Sequence, residues 1–309
     1  MNRVLVPLDG SDFAASILPD AKRLAGDSGE LILVRDATTS SHDDLDTNPE
    51  AQSIRASEDY LHTTAVALRT MGATVRTETF VLGDPATAID EAAARFEVDA
   101  IACATHGRSG WQSVVHPSIA WKVLAHSPVP VLLRRFQAVG VQSPAVSLTS
   151  STILVPLDGS HRGEESLPLA VKLAQEWNGS LLLVHVVPDV IPPVHRKRLY
   201  QEHSVFAEEY RAGESYLAHI AHTIQGTVVT AVLSGPIVET LVATVTQRDV
   251  ACVVMASHGR TGMAKAIVGS VASGLVHGAG VPLLVIPGTA TRELGPRPSV
   301  DHPLMATVG

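Results

Sequence analysis

The residues best suited to chemistry are small and hydroxylated ones grouped around a histidine. They run Ala256-Ser257-His258-Gly259-Arg260-Thr261-Gly262 and, after a short apolar segment, Gly269-Ser270 at the head of a helix-like run. The group follows Val250 to Met255, a short apolar stretch that reads as a fully buried strand. A strand that ends in glycines, with another glycine and a serine opening a helix, leaves backbone N–H groups unobstructed. The positive end of the helix dipole then favours negative charge at that point. The chemistry implied is the holding of a phosphate, and hence a nucleotide site.

The same pattern occurs earlier in altered form, as Ala104-Thr105-His106-Gly107-Arg108-Ser109-Gly110, with Pro117-Ser118 in place of Gly269-Ser270. Val4 to Ser11 matches Ile153 to Ser160, and Val129 to Leu133 matches Val281 to Val285, with an offset that drifts from 149 to 152 residues. The chain is a tandem duplication with small insertions. The expected domains are 1–136 and 153–288, joined by an uncharged linker at 137–152 without helical periodicity and followed by a proline-containing tail at 289–309, expected to be poorly ordered.

Each half must position its loop by alternating strands and helices. In the first half strands are expected at Arg3 to Pro7, Glu30 to Val34, Thr74 to Leu82, Ala100 to Ala104 and Val129 to Leu133. Helices are expected at Ala14 to Ala25, Ala56 to Met71, Ala86 to Phe96 and Ser118 to His126. Short apolar strands between amphipathic helices imply an α/β fold with parallel sheets covered on both faces. Ligands of such sheets collect at the carboxyl ends of the strands. In the second half that edge gathers Asp158-Gly159, His185-Val186, Gly235-Pro236 and Ala256 to Gly259.

Composition narrows the partners. At 309 residues and 45% hydrophobic, the chain can bury one ordinary core per repeat. A net charge of −8 argues against general affinity for nucleic acid or anionic membranes. No targeting segment and no run long enough to cross a bilayer is legible, so a cytoplasmic location is expected. Cys103 and Cys252 read as buried small hydrophobes. The histidines show no metal-ligand spacing, so no protein-held metal is expected. His195-Arg196-Lys197-Arg198 reads as a solvated basic face, opposite in sign to Asp43, Asp44, Asp46 and Glu50 of the first half.

Val-Pro-Leu-Asp-Gly-Ser after the initial strand, His185-Val186 at the end of the second, and a near match to Gly-x2-Gly-x9-Gly-Ser together resemble the universal stress proteins, in their tandem two-domain form. The resemblance covers roughly residues 1–136 and 151–288 and departs at the first motif glycine, which is Ala256. It implies two Rossmann-like domains, each a five-stranded parallel sheet of order 3-2-1-4-5, docked within the chain, with homodimerisation open. It also implies ATP as the ligand, with magnesium only as a companion of the nucleotide. Pro156, Asp158 and Val186 would then face adenine and ribose, and Met255-Ala256 would lie beneath the nucleoside. Ser257, His258, Gly259, Arg260, Gly262, Gly269, Ser270 and Val271 would form the phosphate loop and helix start. The first half carries a degenerate set: Asp9, Asp36 where Val186 stands in the second copy, His106, Gly107, Pro117 and Ser118. Proline has no N–H for a phosphate, and a carboxylate facing the base is costly to desolvate without a donor. Weak or no ATP binding is expected there.

Other readings stay open. Asp9 and Asp158 can close Asp-Gly-Ser turns, with Ser11 and Ser160 as helix caps. His258 without a readable carboxylate partner fits loop orientation better than acid–base catalysis, and Arg260 fits either a phosphate or solvent. No catalytic residue is assigned. Three functions compete: an ATP-binding stress regulator with slow or no hydrolysis, an ATPase or nucleotidyl-transfer enzyme, and a scaffold that needs no nucleotide.

Overall fold

The computed structural model describes residues 1–37, 49–105, 119–136, 150–188, 199–257 and 269–288. His106, Gly107, Pro117, Ser118, His258, Gly259, Arg260 and Gly262, the linker at 137–149, the basic cluster at 195–198 and the tail at 289–309 lie outside the described residues. The chain divides into two compact units, the first built on Met1–Gly140 and the second on Val141–Gly288.

In the first unit the elements are β1 (Arg3–Pro7), α1 (Asp12–Ala15), α2 (Leu18–Ala25), β2 (Glu30–Asp36), α3 (Pro49–Thr70), β3 (Thr74–Phe80), α4 (Pro85–Arg95), β4 (Ala100–Thr105), α5 (Ile119–His126) and β5 (Val131–Arg135). The second unit repeats them as β6 (Thr152–Pro156), α6 (His161–Glu164), α7 (Leu167–Glu176), β7 (Ser180–Val187), α8 (Leu199–Thr223), β8 (Val228–Ser234), α9 (Ile237–Gln247), β9 (Val250–Ala256), α10 (Ser270–Gly278) and β10 (Leu283–Ile286). Within the first unit the strand order is β3-β2-β1-β4-β5, and within the second β8-β7-β6-β9-β10. The pairings inside each unit are parallel. Both units therefore have the expected 3-2-1-4-5 order.

Burial explains why these apolar runs are strands. Val4, Leu5 and Val6 of β1 are all fully buried, as are Ile153, Leu154 and Val155 of β6. Successive side chains of a strand point to opposite faces, so an unbroken buried run means that both faces of the sheet are covered. Each such side chain contributes about 1.5–3 kcal/mol relative to exposure. Among the helices, Leu61, Ala65 and Leu68 of α3 form the buried stripe expected from their spacing. Gly29 and Gly179, at the entries to β2 and β7, are set against the backbone oxygens of Ala25 and Ser151 with no room for a Cβ.

Several boundaries differ from the sequence reading. The helix expected over Ala14 to Ala25 is two helices, α1 and α2, because Pro19 lacks an N–H and its ring would clash with the carbonyl one turn back. It sits instead in the first turn of α2, and Pro168 does the same in α7. The last strand of the first unit begins at Val131 and not Val129, after Pro130, which cannot donate to a ladder. β3 stops at Phe80, since the N–H of Leu82 turns to the Asp36 carboxylate at 3.1 Å. α3 begins earlier than expected, at Pro49.

The two units also differ in one internal contact. Arg134 Nη1 of β5 donates to both carboxylate oxygens of Asp20 on α2, at 2.7 and 2.6 Å. The registers of the two units place Leu169 and Ile286, both buried, at the matching positions. Burial pushes the Asp20 carboxyl above its ordinary range, against the pull of Arg134. The first unit thus holds an ion pair where the second has two buried apolar side chains.

Candidate functional site

In the second unit, strand direction alone brings the ends of β6, β7, β8 and β9 to one edge of the sheet. Pro156 ends β6, and the next turn is closed by Asp158, whose Oδ1 accepts from the backbone N–H of Ser160 at 3.0 Å and from its hydroxyl at 2.6 Å. Ser160 Oγ accepts in turn from the N–H of Gly163 at 3.1 Å and caps α6. Both roles weighed for the serine and the aspartate as turn and cap residues are therefore realised here. A Cβ on Gly163 would lie 2.9 Å from Asp158 Oδ1, so the first turn of α6 runs against this carboxylate.

Val186 lies near the end of β7, half-buried, one residue after His185. The His185 ring is held on three sides. Its Nδ1 lies 2.8 Å from Leu157 O, so it carries the proton, because a carbonyl only accepts. Its Cδ2 abuts the Cα of Gly213, where a Cβ would sit 2.9 Å away. The His185 ring and that of Tyr216 lie in an edge-to-face arrangement, with centroids 6.2 Å apart and planes at 70°. The hydroxyl of Tyr216 donates to Glu164 Oε1 at 2.9 Å in the interior. Burial first, and the negative charge of Glu164 second, hold the Tyr216 hydroxyl well above the usual tyrosine range.

The Glu164–Tyr216 pair was not legible in the sequence. Gly213, a glycine inside a long helix, signals instead the close approach of α8 to His185.

β9 delivers Met255, half-buried, and Ala256 and Ser257, both buried. Ser257 N–H continues the ladder to Ile286 O at 2.9 Å. Its own carbonyl accepts from the N–H of Gly269 at 3.2 Å, which pins the start of α10 to the end of β9. Gly269 is the N-cap residue, with φ −63° and ψ 148°, a conformation open to any residue. What requires glycine is space: a Cβ would stand 2.8 Å from Ser257 O. Gly269 itself has no side chain to cap this helix end. Ser270 is exposed and Val271 half-buried, so the first turn of α10 opens at the same edge as Asp158 and Val186.

The first unit copies the turn and changes the rest. Asp9 Oδ1 accepts from the N–H and hydroxyl of Ser11, and Ser11 caps α1, as in the second unit. The register of β1 on β2 and of β6 on β7 puts Arg35 at the position of His185 and Asp36 at that of Val186. The Arg35 guanidinium lies over the Tyr60 ring at 5.2 Å and against Gly10. Asp36 does find a donor, in Leu82.

Among the described residues no cluster of histidine, cysteine and carboxylate side chains could hold a metal ion, and no helix is long and apolar enough to cross a membrane. Cys103 and Cys252 are buried and form no disulfide.

Comparison with known proteins gives a double match. The model described as the Universal stress protein family matches residues 1–135 and again 149–287. Universal stress protein MT2052 of Mycobacterium tuberculosis is 34% identical over 158 residues, 45% of this chain and 49% of that protein. The chain thus spans about half the length of that curated relative. A crystal structure of a universal stress protein from Archaeoglobus fulgidus aligns with a TM-score of 0.65 at 22% identity, over 93% of this chain and 98% of that one. The functionally unknown protein PA1789 of Pseudomonas aeruginosa also aligns at 0.65, with 16% identity over 94% and 93% of the two chains. At these identities the structural likeness speaks to the fold.

Proposed function

The chain belongs to the universal stress protein family, carrying its domain twice, and from that premise we propose that it is an ATP-binding stress-response regulator whose nucleotide is held by the second unit. The observation that carries this reading is the start of α10. Gly269 ties the N-terminus of this helix to the end of β9, at the sheet edge where Asp158 and Val186 also lie. An anion at such an end gains about 0.3–1 kcal/mol from the dipole, and more when partly buried.

In this reading Pro156, Asp158 and Val186 face adenine and ribose, and Met255 and Ala256 support the nucleoside. Ser257, His258, Gly259, Arg260, Gly262, Gly269, Ser270 and Val271 surround the phosphates. His185 stays behind the site, its protonated nitrogen committed to Leu157 O. The chain has no Gly-x4-Gly-Lys-Ser/Thr loop, so the role assigned is binding, with slow or no turnover. The first unit, with Pro117 and Asp36 at the matching positions, takes no part in ATP binding.

Calorimetric titration of ATP into the full chain tests this. One site per chain is expected, lost in Gly269→Pro, which removes the N–H that holds α10 to Ser257, and unaffected by Asp36→Val. Retention of full affinity in a folded Gly269→Pro protein would move the nucleotide elsewhere.

A further inference from the structure

The first unit contains a cavity of about 130 Å³ at the carboxyl edge of its sheet. A water needs about 10–15 Å³ of such volume, so there is room for a compact organic molecule. Phe13, Phe80, Ile89, Cys103 and Ile119 supply apolar lining, and among the described residues the charged groups that line it are Asp9, Arg35 and Asp36. Two carboxylates against one guanidinium make the described lining negative. The guanidinium, moreover, is engaged by the Tyr60 face and lies against Gly10.

The carboxylate of Asp36 is divided in its use. Oδ1 accepts from Leu82 N–H, while Oδ2 is buried and, among the described residues, has no hydrogen-bond partner. A buried acceptor left in that state carries an uncompensated desolvation penalty, larger when it is charged. A charge-assisted bond from a cation is the strongest way to satisfy it. A polyphosphate would instead bring negative charge against two carboxylates.

We propose that this cavity receives a compact organic cation, an amidinium or primary ammonium group on an apolar body, with Asp36 Oδ2 as its acceptor and counter-ion. Replacing valine by aspartate at this position relative to the second unit then changes the class of ligand, and the change is independent of whether the second unit holds ATP. Benzamidine is a suitable probe, with neutral benzamide and anionic benzoate as its shape-matched controls. Each is titrated into the full chain by calorimetry while the Leu82 amide resonance, adjacent through Asp36, reports the place of binding.

Benzamidine is expected to bind at one site, to shift the Leu82 amide, and to bind at least about tenfold more tightly than either control, a difference of about 1.4 kcal/mol. Asp36→Asn, which keeps the shape, should weaken it by a similar factor, and Ala104→Leu should exclude it by filling the cavity from β4. Absence of benzamidine binding, benzoate binding as well as benzamidine, or unchanged affinity in a folded Asp36→Asn protein would each overturn the proposal. Circular dichroism of the variants separates loss of the pocket from loss of the fold.

Discussion

Two residues of the second unit show how a single atom decides the local outcome. Gly269 has ordinary backbone angles, so its identity is set by the 2.8 Å between a would-be Cβ and Ser257 O. Gly269→Ala should therefore push α10 away from β9, destabilising the second unit by about 1–3 kcal/mol. Urea unfolding of the two proteins measures this. Tyr216 makes a prediction about pH. Its hydroxyl pKa is raised in the folded state from the ordinary 10.0, by burial first and by Glu164 second. The unfolded chain releases this proton at the lower, ordinary value, so the stability it contributes is complete below about pH 10 and is lost as pH rises beyond, by about 1.4 kcal/mol per unit. Unfolding midpoints at about pH 8 and about pH 11 should differ more in the wild type than in Tyr216→Phe. Cys103, pushed up to about 12 by burial, should resist alkylation at neutral pH in the folded protein and react once the chain is unfolded. Equal labelling in both states, followed by mass spectrometry, would contradict that.

At the scale of elements, the replacement of the first unit's ion pair by two buried apolar residues in the second is directly testable. Asp20 and Arg134 tie α2 to β5, whereas Leu169 and Ile286 occupy the matching places on α7 and β10. Burial outweighs the attraction of Arg134 in setting the Asp20 carboxyl, so the pair is held against a desolvation penalty. The double variant Asp20→Leu with Arg134→Ile should be neutral to about 4 kcal/mol more stable, while Arg134→Ile alone should lose up to about 3 kcal/mol by stranding the carboxylate. Thermal unfolding of the three proteins decides it. The elements themselves were largely legible, because parallel strands buried on both faces leave unbroken apolar runs such as Val4 to Val6 and Val250 to Met255. The legible part ended where local chemistry competes with pattern. Pro19 divides one apolar-periodic stretch into α1 and α2, and Leu82 leaves the strand pattern for a carboxylate on another strand. The second of these is a contact between residues far apart in sequence, which no local pattern carries.

At the scale of the whole molecule, duplication supplied two copies of one scaffold, and the copies have diverged at the carboxyl edge of the sheet. The position of that edge was legible from the alternation of apolar strands and helices. So were the two turns Asp9-Gly10-Ser11 and Asp158-Gly159-Ser160, because aspartate and serine two residues apart bond locally. The support behind the second site was not. His185, Gly213, Tyr216 and Glu164 come from three elements, β7, α8 and α6, and only folding brings them together. We propose different ligands for the two units, ATP in the second and a cation in the first. ATP binding by the second unit is tested most directly by release of the nucleotide that co-purifies with the full chain, identified and quantified by chromatography for the wild type, Gly269→Pro and Asp36→Val. ATP at one equivalent per chain is expected in the wild type and Asp36→Val and absent from folded Gly269→Pro. ATP that persists in Gly269→Pro, or a wild-type protein that carries none and takes none up, would contradict the assignment.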